Sequence, residues 1–104
     1  MSHELAEKTA GLASRINNLA VLHSGKHSRQ LLELQDQLAR LTLLAIVREL
    51  NAEHEAYQAA MAGIHQAIDL IGEADKKIKK ITEVINVVAQ TINAIEQALM
   101  DAAL

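Results

Sequence analysis

The sequence predicts an all-α fold, and three observations carry that prediction. Nine apolar residues recur at intervals of seven: Leu43, Leu50, Tyr57, Ile64, Ile71, Ile78, Ile85, Ile92 and Leu99. Such a repeat marks helices that pack along their length on other helices. The 104 residues contain no proline and only four glycines, so almost nothing forces the backbone out of helix. Half of the residues are hydrophobic, yet there is one Tyr and no Phe or Trp. The core must therefore be built from Leu, Ile, Val and Ala, which interlock along helices rather than filling a wide aromatic interior.

A chain of this length is expected to form a single helical domain, residues 1–104. The first helix is expected over about residues 3–23. Ser2 can cap it, Leu5, Leu12, Ile16, Leu19 and Leu22 recur at helical spacing, and Gly11 weakens it slightly. The run Ser24-Gly25-Lys26-His27-Ser28 is the one clear break, a loop at about 24–27, with Gly25 suited to a left-handed helix end and Ser28 to an N-cap. Leu31, Leu34, Leu38 and Leu41 then begin a second helix, which hands over to the seven-residue series at Leu43. Because Ile64, Ile71, Ile78 and Ile85 keep phase through Gly63 and Gly72, the spacing favours one long helix over about residues 28–102, kinked or straight. A helical hairpin broken near Gly63, or at Gly72-Glu73-Ala74-Asp75, is the alternative.

With Ile64 and its relatives at heptad position a, the d positions read Ala67, Ala74, Ile81, Val88, Ile95 and Ala102. Where a two-stranded coil carries charge, this chain has Ile68, Ala89 and Ala103 at e, and Leu70, Val84, Thr91 and Ala98 at g. That stripe is too wide for a two-helix seam, and Ile at both a and d favours three or more strands. The expected assembly is therefore a homo-oligomeric helical bundle or coiled coil with at least four helices in its core. Its interface would be the nine a residues together with Ile81, Val88 and Ile95.

A net charge of −3 predicts neither nucleic-acid nor membrane-surface binding. The absence of cysteine excludes disulfides, thiol catalysis and Cys-ligated zinc. The start, Met-Ser-His-Glu-Leu-Ala-Glu-Lys, has no apolar signal core. The charge-free stretches Ala56 to Ile68 and Val84 to Ile95 are shorter than the roughly 20 residues that span a bilayer. A soluble, cytoplasmic protein is the expectation.

Few residues nominate chemistry. His23 and Lys26 resemble, in those two residues only, the His-x-x-Lys pair of histidine phosphotransfer domains; His27 stands where those domains carry glycine, and the segment reads as polar loop histidines. His54 and His65, eleven residues apart, fall near one helix face beside Glu53 and Glu55, but no Glu-x-x-His pair occurs, so no metal site is expected. Tyr57, alone among aromatics and on the stripe, reads as a core ring with its hydroxyl at an edge. Lys76, Lys77, Lys79 and Lys80 read as a solvated face partly neutralised by Glu73, Asp75 and Glu83. Ala52, Ala56, Ala59, Ala60, Ala62 and Ala67 around Met61 and Gly63 read as close helix packing. No phosphate loop or nucleophile elbow is visible, and no cofactor is implied. The expected function is a non-enzymatic oligomerisation or protein-interaction module acting through the apolar stripe. A membrane-active or secreted helical protein inserting the weakly charged segment Ile81 to Leu99 is the alternative, and a small helical-bundle enzyme the third reading.

Overall fold

The computed structural model describes residues 3–48, 50, 53–74 and 80–103. Four helices follow one another, α1 (Glu4–Val21), α2 (Gly25–Val47), α3 (Glu55–Ala74) and α4 (Ile81–Ala103). Ser2, Ala52, Asp75, Lys76, Lys77, Ile78 and Lys79 lie outside the described residues.

In α1, Leu5, Leu12, Ile16 and Leu19 form one buried stripe, and Glu4 and Glu7 place negative charge where the first turn's free N–H groups point. Leu22, expected on that stripe, lies past the helix end and is exposed. The turn into α2 is tight. The Leu22 and His23 amides donate to the carbonyls of Leu19 and Ala20 at 3.1 and 3.2 Å. Gly25 takes φ +69°, a region in which a Cβ would be strained. Ser28 does not cap α2, as its position after the break suggests. The helix starts earlier, with Ser24 at the N-cap, and the Ser28 hydroxyl instead donates to the Ala20 carbonyl at 3.1 Å, satisfying the end of α1.

The α2 core stripe is Leu31, Leu34, Leu38, Leu41 and Ala45. Leu43 falls on the opposite side of this helix, because two residues beyond Leu41 is more than half a turn away. The first member of the seven-residue series thus belongs to a different face from the rest. The helix then stops: Arg48 is extended, at φ −105° and ψ 143°. The continuous helix over 28–102 is therefore replaced by three helices, with breaks after Val47 and after Ala74. The hairpin near Gly72 is one of those breaks; that after Val47 carries neither Gly nor Pro. Interrupting a helix forgoes about four hydrogen bonds, each worth roughly 0.5–1.5 kcal/mol net. Burying one Ile side chain recovers about 1.5–3 kcal/mol. Folding back lets α3 bury Tyr57, Ile64 and Ile71 against the same molecule, so burial wins.

In α3 the buried residues are Tyr57, Ala60, Ile64, Ala67, Ile71 and Ala74, a strict a and d set. In α4 the buried set widens to a, d and g, with Ile81, Val84, Val88, Thr91, Ile92, Ile95, Ala98 and Leu99 buried and Ile85 only half-buried. The buried face of α4 is thus wider than that of α3 and extends to g, with Val84 buried where neighbouring Ile85 is half-exposed.

The helices stand at the corners of a square. α1 packs on α2 and α3, and α4 packs on α3 and α2, while α1 with α4 and α2 with α3 sit across the diagonals. α3 and α4 run antiparallel: Glu73 meets Lys80 beside the turn, and Gly63 meets Thr91 further in. α2 and α4 run parallel, since Arg48 reaches the carbonyl of Leu99 at their C-terminal ends. Two antiparallel hairpins thus lie side by side, with residues 48–54 connecting diagonal corners. The bundle measures 40 × 19 × 18 Å, somewhat longer than the 23-residue helices, which span about 35 Å at a rise of about 1.5 Å per residue. All four helices contribute to a single core.

Candidate functional site

The interior offers no chemistry among the described residues. Its buried polar side chains are Thr9 and Thr91, whose hydroxyls donate to the Leu5 and Val87 carbonyls at 2.7 and 2.8 Å within their own helices. No buried side-chain nitrogen or oxygen is left without a hydrogen bond there. The interface candidates Ile64, Ile71, Ile81, Val88, Ile92, Ile95 and Leu99 are buried within the chain itself; Leu50 and Ile85 are half-buried.

Tyr57 sits at the start of α3 with its ring in the core. Burial, and then the Glu4 carboxylate, push its pKa above the usual phenol value; the Leu5 backbone works in the other direction. Tyr57 thus lies against the first turn of α1, beside Glu4 and Leu5. It is a packing device joining the two hairpins.

His54 and His65 are exposed, and the His54 Nδ1 accepts from the Ala56 amide at 3.3 Å, at the opening of α3. His23 and His27 are half-buried at the first turn. No group of three or more His, Cys, Asp or Glu able to hold a metal occurs among the described residues. Lys80 lies 3.3 Å from Glu83 and 3.8 Å from Glu73, closing the α3–α4 turn with its charge partly neutralised. The small residues Ala59, Ala62 and Gly63 line a shallow groove of about 320 Å³ with Val87, Gln90 and Thr91. A methyl at Gly63 would stand 2.7 Å from the Thr91 hydroxyl, so this glycine marks the close approach of α3 and α4.

Among the described residues, five of the eight exposed large hydrophobics cluster at the bundle end where α2 and α4 finish. Leu43 is 67 % exposed, Leu44 42 %, Ile46 46 % and Val47 76 %, and Met100 beside them is 62 % exposed. Between the two helices lies an apolar groove of about 230 Å³ lined by Leu41, Leu44, Leu99 and Met100, with Arg48 and Glu96 at its rim. The Arg48 guanidinium donates to the Leu99 carbonyl at 3.4 Å, setting a cation where the α4 dipole is negative. Leu43 was legible as a candidate from the sevenfold spacing. Leu44, Ile46 and Val47 were not, although the run Leu41-Thr-Leu-Leu-Ala-Ile-Val47 carries a signal: apolar residues on every side of a helix, more than one core face can absorb. No helix among the described residues is long and apolar enough to cross a membrane. No protein-family model, curated protein or solved structure matches the chain.

Proposed function

We propose that the protein is a non-enzymatic helical self-association module whose contact surface is the outer face and C-terminal end of α2. One observation carries this reading: four of the last five residues of α2 are large, apolar and exposed, although each could be polar at no cost to the bundle core. Contiguous apolar surface of this kind is characteristic of interaction sites. The heptad stripe of α3 and α4, expected from the sequence to make the assembly, lies in the chain's own core, and of the eight exposed large hydrophobics among the described residues five are on α2. The experiment is the solution mass, by light scattering over a concentration series, of the wild-type chain and of Leu43→Glu/Val47→Glu. An oligomer that becomes a folded monomer in the double variant is the expected result. A wild-type chain that stays monomeric at high micromolar concentration overturns the reading.

A further inference from the structure

We infer that the partner on this surface is a second copy of the chain, docked with its α2 antiparallel about a two-fold axis, and that Asp36 and Arg40 of each copy pair across the seam. The inference rests on the self-association proposed above and adds the orientation and the charge register. Leu32, Asp36, Ala39, Leu43 and Ile46 succeed one another at alternating spacings of four and three along α2, the spacing of a helix–helix seam, and all five are exposed. This seam faces away from the α2 core stripe, so the bundle does not use it. It is apolar except at Asp36, and Arg40 lies one turn further along at its margin.

Neither Asp36 nor Arg40 takes part in an ion pair among the described residues, although they stand four apart on one helix. A parallel partner would set Asp36 against Asp36 of the second copy and Leu32 against Leu32. An antiparallel partner centred between Gln37 and Leu38 instead sets Leu32 opposite Leu43 of the second copy and Asp36 within reach of its Arg40, one residue from direct opposition, and symmetry makes each of these contacts twice. Only that orientation places a cation against the one carboxylate in the seam, and like charges held face to face are unfavourable.

Charge reversal provides the test. Asp36→Arg alone sets Arg against Arg, and Arg40→Asp alone sets Asp against Asp. Each variant should dimerise about tenfold more weakly than wild type, while an equimolar mixture of the two should regain association as a heterodimer, because every cross-seam pair is then opposite in sign. Circular dichroism checks that both variants remain helical; for a variant that does not fold, cross-linking decides alone. The chain has no cysteine, so Leu32→Cys and Leu43→Cys chains can be mixed and oxidised without background. Disulfide heterodimers between them are expected. Variants with either charge reversed that keep the wild-type oligomer mass and affinity, or Leu32→Cys chains that cross-link to one another, refute the antiparallel register and leave self-association standing. A monomeric wild type removes both.

Discussion

The two hairpins use their apolar residues in opposite ways. The α3–α4 hairpin is the more apolar, and within it the described large hydrophobics are buried or half-buried apart from Met100. The α1–α2 hairpin is the more polar on average, yet it holds Val21, Leu22, Leu32, Leu43, Leu44, Ile46 and Val47, all exposed. A core of Ile, Val and Ala lets α3 and α4 approach until Gly63 touches Thr91, whereas the Leu-built first hairpin closes through its glycine turn and the Ser28 bond. Mean hydropathy is therefore a poor guide to where surface is left over. What decides is whether apolar residues share one face of their helix, as in α3, or surround it, as at the end of α2.

The sharpest way to break this comparison is one substitution made in both hairpins. Ile95→Asp places an unpaired carboxylate at a fully buried position and is expected to cost at least about 3–5 kcal/mol, a large part of the roughly 5–15 kcal/mol that holds a domain folded. Leu43→Asp, on an exposed face, should shift the urea midpoint by no more than a surface change does, about 0.5 kcal/mol, when measured on dissociated chain. Equal losses at the two positions would mean that the stripe of α4 is no more a core than the outer face of α2.

Gly63→Ala tests the close approach within the second hairpin. The added methyl must displace the Thr91 side chain, whose hydroxyl is held by Val87, and a loss of about 1–3 kcal/mol is expected. Combining it with Thr91→Ala should recover part of that loss in a double-mutant cycle. Gly72→Ala is the control: this glycine is helical with open space around its Cα, so alanine should stabilise by about 0.5–1 kcal/mol. A stabilised Gly72→Ala is compatible with the hairpin, because the break comes after Ala74 and not at the glycine.

The smallest effect concerns the contact between hairpins at Tyr57. Tyr57→Phe keeps the ring in the core and removes only the hydroxyl, so it should cost no more than about 0.5 kcal/mol. Because the folded phenol titrates above its unfolded value of 10.0, the folded state holds its proton longer than the unfolded state does. The contribution of this group is therefore complete below pH 10 and is lost as pH rises past that value and through the folded pKa. As the chain's one aromatic residue, Tyr57 can be followed by its own ultraviolet titration, and ionisation at or below the free-phenol value would contradict the burial.

By itself, the sequence determined that the chain is helical, that Gly25 turns it, and which faces of α1, α3 and the first half of α2 are buried, since Leu5, Leu12, Ile16, Leu31, Leu38, Ile64 and Ile71 declare themselves by spacing alone. The tertiary structure alone decided that α2 ends at Val47, that Leu43 faces outwards, and that Ile85 in α4 is only half-buried while its neighbour Val84 is in the core. The physical reason is that periodicity states only that an apolar face must be covered. The hydrophobic effect is non-directional and indifferent to whether the cover comes from another chain or from the same one folded back. Residues 48–54 contain no breaker, and what interrupts the helix there is the burial gained by bringing the second hairpin against the first.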